Sequence, residues 1–383
     1  MARRAYVGVE GIARKVKRGY IGVDDIARRI KKIYIGIGGI ARPCFSDGLD
    51  YYGTVTPLKT ARSRFTPAIA GGCALFFSGQ TESTLKSDVD VYDPSLIHSV
   101  ISNSSGRYFY GATSLNDNAL YAGGTSIVTT YMNHTFRYDP SFTTVTMDNL
   151  HFARTEISAT TIGNYALFAG GRYSNGNEFA VDVYDKDFTH KTDVSLSYAR
   201  YSVASTSTDG FAFFGGGRAG YVHSTVDAFN KSLTRRKVES LSVARFSLVA
   251  TTLGEYALFG GGLTRERSPG TSSDVVTDVV DVYDSDLTLT QITPLSVPRH
   301  SLSATTVGEF ALFGGGEKYE YYNKYNRYTT VDMYDTSLTR TTFTPLSTAR
   351  SELGAITLGN YGLFAGGNSN SDGDTVDVYA LIK

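Results

Sequence analysis

The sequence lacks tryptophan altogether and contains little cysteine, proline or histidine. Among 383 residues there are 2 Cys, 9 Pro and 6 His. Cys44 and Cys73 stand far apart with no CxxC spacing, so the sequence predicts neither a disulfide framework nor a zinc site. No window approaches the ~18 uncharged apolar residues of a membrane-spanning helix. The first residues lead into charged repeats rather than an apolar signal region, so we expect neither a signal peptide nor membrane insertion.

The overall charge is zero, but the charges are divided unevenly along the chain. Hydrophobic residues make up 41% and charged residues 19%, as in a globular protein. Of the 37 basic and 37 acidic residues, eleven basic and three acidic ones fall within residues 1–44. This segment therefore carries +8 and the remainder −8, a division that indicates two functional parts.

The basic segment contains a fourteen-residue unit three times. Each copy reads Tyr-[Val/Ile]-Gly-[Val/Ile]-x-x-Ile-Ala-Arg, in which two β-branched runs flank a two-residue turn. This pattern predicts a β-hairpin in each copy. The residues we assign to this anchor are one tyrosine per copy and the basic pairs between copies: Tyr6, Tyr20, Tyr34, Lys17, Arg18, Lys31 and Lys32.

Three isolated hairpins bury little apolar surface, so residues 1–44 should need a partner surface or further copies of themselves. We favour docking on a larger assembly in which the protein is present in multiple copies. The alternatives are a solvated basic face and binding to a phosphate backbone. Nucleic acid is the least favoured, because one aromatic per copy at a fixed place is more typical of a packing stripe.

These repeats resemble short Tyr-x-Gly-x-x-x-Ile-Ala-Arg repeats of bacteriophage structural proteins, particularly tail-associated ones. The resemblance covers residues ~5–44 and implies a virion component whose partners are other virion proteins. It also implies assembly in the host cytoplasm.

The rest of the chain is a longer tandem repeat. An Ala-Leu-Phe-x-Gly-Gly core motif, with variants, occurs seven times at spacings of 45 to 54 residues. A Val-Asp-Val-Tyr-Asp signature follows it in most units, and the clearest departure is Thr135–Asp139 in the second unit. Four short β-rich runs per unit predict a four-stranded antiparallel sheet.

A four-stranded unit of this length resembles the blade of a kelch-type β-propeller. The resemblance spans residues ~50–383 and departs from kelch repeats in having no tryptophan, so Tyr and Phe must pack between blades. We expect an all-β protein: a hairpin anchor over 1–44, a linker over 45–52 and a seven-bladed kelch-like propeller over 53–383. The last unit lacks an outer strand, which the strand beginning near Gly53 should supply, closing the ring.

An arginine recurs in every unit, twelve positions before the residue that opens the core motif. The seven are Arg62, Arg107, Arg154, Arg200, Arg245, Arg299 and Arg350. The structural interpretation pairs each with the aspartate of its own repeat, although the second unit lacks one. The functional interpretation is a cationic collar that binds an anion, and we favour the structural one because function usually breaks symmetry. The repeat aspartates are Asp90, Asp182, Asp227, Asp281, Asp332 and Asp377.

Enzymatic interpretations find little support in the residues. A resemblance to kelch-type copper oxidases would imply a metal held by Tyr and His, but the six histidines fall in five different repeats at dissimilar places. Sialidase-type Asp boxes need a tryptophan. We therefore predict no catalytic residues, no metal and no cofactor, with a carbohydrate-active propeller enzyme as the least favoured alternative.

Variable loops on a constant scaffold are where recognition is usually placed. The loop Glu317–Thr330 is rich in tyrosine, whose flat ring and hydroxyl suit contact with sugars or proteins. Its candidate ligand-binding residues are Tyr319, Tyr321, Tyr322, Tyr325, Arg327 and Tyr328. An equally weighted alternative is that these tyrosines only cover the neighbouring loop of the fifth blade.

Taken together, the sequence predicts a non-enzymatic virion protein, on a tail, baseplate or capsid surface. Residues 1–44 would anchor it, and the propeller would bind a cell-surface glycan or protein. A cellular kelch scaffold that captures a protein partner is the second interpretation.

Overall fold

We describe the protein from a computed structural model that covers residues 6–9, 12–15, 19–23, 26–30, 32–37, 40–46 and 48–382, apart from 82–83, 103–105, 128–129, 175, 269–270, 321–324 and 370–372. All regular elements in these ranges are β-strands. No helix with the length and apolarity needed to cross a membrane occurs in them.

The basic segment forms three two-stranded antiparallel ladders, one for each sequence copy. They are β1 (Tyr6–Val9) with β2 (Ile12–Lys15), β3 (Gly19–Val23) with β4 (Ile26–Ile30), and β5 (Lys32–Ile37) with β6 (Ile40–Ser46). The predicted tyrosines and Lys32 lie on these strands, whereas Lys17, Arg18 and Lys31 fall outside the described residues.

Seven four-stranded antiparallel sheets follow, and they form a seven-bladed β-propeller as the sequence predicts. The first strand, β7 (Gly48–Val55), belongs to the last blade. Blade 1 is β8 (Ala68–Ala70), β9 (Cys73–Phe77), β10 (Val89–Tyr92) and β11 (His98–Ile101). Blade 2 is β12 (Gly111–Leu115), β13 (Asn118–Ala122), the hairpin β14 (Thr125–Ile127) and β15 (Thr130–Tyr131), then β16 (Thr135–Tyr138) and β17 (Thr144–Thr146).

Blades 3 and 4 each carry a short hairpin between their second and third strands. Blade 3 is β18 (Ser158–Ile162), β19 (Tyr165–Ala169), the hairpin β20 (Arg172–Tyr173) and β21 (Gly176–Asn177), then β22 (Ala180–Tyr184) and β23 (His190–Ser195). Blade 4 is β24 (Ala204–Ser207), β25 (Phe211–Gly215), the hairpin β26 (Arg218–Ala219) and β27 (Tyr221–Val222), then β28 (Val226–Asn230) and β29 (Arg235–Arg236).

The last three blades complete the ring. Blade 5 is β30 (Val249–Leu253), β31 (Tyr256–Gly260), the hairpin β32 (Leu263–Ser268) and β33 (Thr271–Val276), then β34 (Val280–Tyr283) and β35 (Leu289–Ile292). Blade 6 is β36 (Ser303–Val307), β37 (Phe310–Gly314), the hairpin β38 (Glu317–Tyr319) and β39 (Tyr325–Arg327), then β40 (Val331–Asp335) and β41 (Arg340–Phe343). Blade 7 is β42 (Gly354–Leu358), β43 (Tyr361–Ala365), β44 (Val376–Ile382) and β7.

The ring closes through a strand from the start of the propeller, as predicted. Strand β7 pairs antiparallel with β44 from Val376↔Val55 to Ile382↔Gly48. The paired strand begins at Gly48, so the propeller includes residues 48–52, which the sequence assigned to a linker. Pairing at both edges leaves β44 without an open edge.

Successive blades are joined by a repeated backbone hydrogen bond that explains the double glycine. The N–H of the second glycine donates to the carbonyl of the repeated arginine in the next blade, at 2.8–3.0 Å in all seven blades. The first glycine lies against the same carbonyl: a Cβ at Gly261, where φ is +66°, would be 2.6 Å from the Arg299 oxygen. A side chain there would force the blades apart.

Aromatic side chains fill the space between blades, where the sequence predicts Tyr and Phe to replace tryptophan. Phe213 of blade 4 stacks on Tyr283 of blade 5, with ring centroids 5.8 Å apart. Phe77 of blade 1 contacts Tyr121 of blade 2 at 4.9 Å. These rings are fully buried, so their contacts help to hold adjacent sheets together.

Candidate functional site

The repeated arginines and the short hairpins lie on one side of the propeller. In each blade, the residue after the arginine forms a backbone bridge with the residue after the double glycine, as in Tyr201↔Arg218 and Ser351↔Asn368. The loops that enter each blade and the loops between its second and third strands therefore meet. We call this side, which carries the hairpins from β14–β15 to β38–β39, the hairpin face.

Six of the seven repeated arginines are buried and paired with the aspartate of their own blade. Their side chains are inaccessible to solvent. The pairs are Arg62–Asp90, Arg154–Asp182, Arg200–Asp227, Arg245–Asp281, Arg299–Asp332 and Arg350–Asp377. Each of these arginines also donates to a carbonyl of its blade's second strand, for example Arg245 Nη2 to Phe259 O at 3.1 Å. A guanidinium held in this way is part of the blade and does not form an open cationic collar.

Each paired aspartate also binds the loop that enters the blade and, in most blades, the outer strand. In blade 3, Asp182 accepts a hydrogen bond from the His151 N–H at 2.9 Å and lies 2.6 Å from His190 Nε2. Burial opposes ionisation of Asp182, but the His190 hydrogen bond and the Arg154 charge outweigh it and lower the pKa of this carboxyl. The aspartate thus links three parts of the blade.

The same outer-strand place holds a histidine in blade 1 and other residue types in blades 6 and 7, which sequence reasoning did not anticipate. His98 contacts Asp90 at 2.6 Å, Arg340 contacts Asp332 at 2.9 Å, and the Tyr51 hydroxyl donates to Asp377 at 2.7 Å. Two of the six histidines are therefore occupied inside blades. Among the described residues, no three His, Cys, Asp or Glu side chains come together as a metal site requires.

Blade 2 departs from this arrangement because Phe136 stands where the other blades have aspartate. The Arg107 guanidinium lies 4.9 Å from the centre of the Phe136 ring, and its Nη1 donates to the carbonyls of Gly123 and His134 at 3.0 and 3.1 Å. Burial lowers the pKa of Arg107 to about 10. A cation–π contact and backbone carbonyls therefore replace the ion pair.

Seven residues on the hairpin face surround the propeller axis in the left-handed conformation. Each lies two positions after the repeated arginine, and their φ values fall between 51° and 60°. We call them the mouth ring: Arg64, Phe109, Glu156, Ser202, Ser247, Ser301 and Glu352. Non-glycine residues seldom adopt this conformation. Because it recurs in every blade here, much as it recurs at Leu96 and its counterparts in the turns between the third and fourth strands, it is a feature of the repeat.

The mouth ring is held in place by hydrogen bonds between blades. In five of the seven junctions, the backbone N–H of one member donates to the carbonyl of the member in a neighbouring blade, as in Glu156 N to Phe109 O at 2.8 Å. All seven members line one axial cavity of about 360 Å³. The scaffold therefore presents seven side chains at equivalent places around one opening.

The side chains of the mouth ring do not follow the seven-fold repeat. Arg64 pairs with Glu352 at 2.8 Å, and its guanidinium lies 5.0 Å from the centre of the Phe109 ring. The next member after Phe109, Glu156, accepts hydrogen bonds from Arg172 at 2.6 Å and from the Ser202 hydroxyl. Three consecutive serines complete the ring. Sequence reasoning missed this site, although its fixed distance from the repeated arginine was visible.

The tyrosine-rich loop of blade 6 forms a hairpin on the same face. Tyr319 and Tyr325 lie opposite each other, with rings 5.4 Å apart, and expose 50% and 44% of their surface. Arg327 points back to Glu317, at 3.4 Å, and Tyr328 is half-buried at the hairpin base. Tyr321 and Tyr322 lie outside the described residues. The hairpin thus places one exposed tyrosine pair on the hairpin face.

Comparison with known proteins supports the fold and adds no activity. No protein-family model matches the chain, and no curated protein matches it. In all, 593 chains of solved structures match. One of them, the structure of YjhT, is 15% identical, with a TM-score of 0.56, and the match covers 72% of this chain and 94% of that chain. At this identity the likeness shows the propeller fold alone, a fold used for binding, scaffolding and catalysis.

Proposed function

We propose that the protein is a non-enzymatic binding protein of a bacteriophage virion. Residues 1–44 attach it to other virion proteins, and the hairpin face binds a glycan or protein of the host surface. The observation that carries the binding role is the mouth ring, where a symmetric scaffold presents side chains of four kinds, Arg, Phe, Glu and Ser, at seven equivalent places. Repeat residues maintain the fold, whereas differences between repeats serve recognition.

The surface of the hairpin face supports recognition of a large partner. Exposed aromatic side chains stand on its loops and hairpins in blades 3, 4 and 6, and they differ from blade to blade. They are Phe152, Tyr173, Phe179, Tyr198, Tyr221, Tyr319 and Tyr325. Rings of this kind supply contact area at a low cost in conformational entropy.

The charged pairs that recur in six of the seven blades favour binding over catalysis. Six arginine–aspartate pairs are committed to each other within the blades. A general acid or base must reach the substrate proton that it transfers. Fully buried groups such as Asp182 and Asp281 do not meet this condition.

The anchoring role is proposed from the charge and repeat pattern of residues 1–44. Three short two-stranded ladders with eleven basic residues bury little surface alone and suit an acidic docking partner in a repeating assembly. The virion is proposed from the resemblance of these repeats to those of phage structural proteins.

Particle incorporation tests this function. The full chain and a form lacking residues 1–44 would be expressed in infected cells, and purified particles would be analysed by quantitative mass spectrometry. We expect the full chain in the particles in several copies and the truncated form in the soluble fraction. Incorporation of both forms, or of neither, would contradict the proposal. Association of the full chain with a cellular protein instead would favour the scaffold interpretation.

A further inference from the structure

One arginine on the hairpin face lacks the carboxylate that its counterpart in the neighbouring blade has. Arg172 and Arg218 both follow the double glycine, in blades 3 and 4. Arg172 Nε lies 2.6 Å from Glu156, the mouth-ring residue of its blade. The corresponding residue of blade 4 is Ser202, and its hydroxyl donates to Glu156. Among the described residues, Arg218 has no acidic partner.

Aromatic side chains hold the Arg218 guanidinium in place. Its central carbon lies 5.0 Å from the centre of the Tyr201 ring and 4.6 Å from that of Phe246. Its Nε donates to the Tyr201 hydroxyl at 2.7 Å. The two rings and this hydrogen bond fix the guanidinium and leave its two terminal nitrogens as a donor fork. The Tyr201 hydroxyl accepts from Arg218, so its own proton remains available for donation to a ligand.

This fork lies at a small cavity on the hairpin face. The cavity measures about 210 Å³ and is lined by Tyr201, Arg218, Gly220, Tyr221, Val222 and Arg265. Tyr221 stacks on the buried His223, with centroids 4.4 Å apart, and 53% of its surface is exposed. The size is below the ~300–1,000 Å³ of sites for drug-sized ligands, which suits one charged sugar unit.

We propose that this cavity binds the carboxylate of an acidic sugar, with the Arg218 fork and the Tyr201 hydroxyl on the carboxylate and the Tyr221 ring against the sugar. A single planar guanidinium forms two parallel hydrogen bonds with a carboxylate. Arg265 is neutralised by Asp274 at 2.9 Å, so the site offers one uncompensated positive charge, which suits a monoanion. The inference rests on the proposed function, because it names the ligand class of the hairpin face.

A glycan array tests the assignment. The array would carry glycans that contain hexuronic or nonulosonic acids, the same glycans as methyl esters, neutral glycans and sulfated glycans. We expect the full-length protein to retain the free carboxylates at least tenfold better than their esters. Equal retention of acids and esters, selective retention of sulfated glycans, or no retention would overturn the proposal.

Two variants and a control locate the site. Arg218→Gln removes the fork, and Ser202→Glu supplies the carboxylate present in blade 3, which would occupy Arg218 internally. Both should weaken retention of the carboxylated glycans at least tenfold while the proteins still melt cooperatively, within about 3 °C of wild type. Arg236→Gln removes an exposed charge from the outer strand of the same blade and should bind like wild type. Wild-type retention by Arg218→Gln would refute the assignment. If Arg218→Gln does not fold, wild-type retention by a folded Ser202→Glu protein would do so.

Failure of this inference is distinguishable from failure of the proposed function. Binding to host cells without preference for carboxylated glycans would refute the acidic-sugar site and leave the host-binding role in place. Selective binding of carboxylated glycans by a protein that does not enter particles would support the site and contradict the virion role.

Discussion

Replacing Asp281 with alanine tests whether the arginine–aspartate pairs hold the blades together. The Asp281 carboxylate accepts hydrogen bonds from Arg245 Nη2 at 2.9 Å, from the Ser242 N–H at 3.1 Å and from the Ser242 hydroxyl at 2.7 Å. Both charged side chains are fully buried. Burial lowers the pKa of Arg245, and the Asp281 charge opposes that effect. Asp281→Ala therefore leaves a buried guanidinium without its counter-ion.

The expected cost is the penalty for breaking a buried ion pair from one side, about 3–5 kcal/mol. For a propeller of about 330 residues that unfolds as a unit, the entropy of unfolding per residue converts this cost to a decrease of roughly 4–7 °C in melting temperature. Far-ultraviolet circular dichroism during heating measures it. The matched control, Asp286→Ala, removes an exposed carboxylate from the adjacent turn and should change stability by less than about 0.5 kcal/mol.

A double substitution separates the pair from its surroundings. Arg245→Met combined with Asp281→Leu removes both charges and leaves no orphaned ion, so we expect a smaller loss of stability than with Asp281→Ala alone. If the Asp281→Ala protein has the same melting temperature as the Asp286→Ala control, the structural role of the pairs is refuted.

Three further predictions concern binding, pH and closure. The double variant Tyr319→Ala/Tyr325→Ala should lower binding to host cells at least tenfold at unchanged melting temperature. The control Ile97→Ala, which removes an exposed apolar side chain between the third and fourth strands of blade 1, should bind like wild type. Equal binding by the wild type, the double variant and the control in a cell pull-down would contradict this. Burial lowers the pKa of His300 to about 4, well below the ~6.5 of a histidine in the unfolded chain. Below pH ~6.5 the unfolded state takes up a proton that the folded state does not, so the free energy of unfolding decreases by up to about 3 kcal/mol as the pH falls to 4. His300→Gln should make denaturation curves less pH-dependent over that range, and an unchanged dependence would refute the assignment. Deleting residues 1–44 should preserve cooperative melting, whereas deletion through the end of β7 should abolish it. If the two truncated proteins melt alike, β7 is not needed to close the propeller, which would contradict the account.

Most of the fold could be predicted from the sequence because each blade repeats the same local pattern. Seven core motifs, the unfinished last unit and the strand that completes it are all visible as spacing. The repeated arginine was visible too, and its partner in blade 2 could be identified as missing. The cation–π contact of Arg107 with the Phe136 ring, which replaces the ion pair in blade 2, could not be predicted, because it depends on how the two side chains are placed in three dimensions.

The mouth ring and the lack of an acidic partner for Arg218 among the described residues could not be predicted in the same way. Nothing in the sequence marks Ser202 as unusual, and its left-handed conformation is visible only in the structure. The significance of Arg218 appears only on comparison with Arg172, whose carboxylate partner comes from a loop sixteen residues earlier in the chain. Contacts of this kind arise between loops and leave no periodic signal.

Hydrogen–deuterium exchange of the full-length protein tests the central claim most directly, because that claim assigns binding to one side of the propeller. Exchange would be compared with and without saturating host-envelope extract. We predict protection of the mouth ring and of the hairpins β26–β27 and β38–β39, with unchanged exchange in the turns between the third and fourth strands of each blade. Protection confined to those turns, or absent from the hairpin face, would contradict the account.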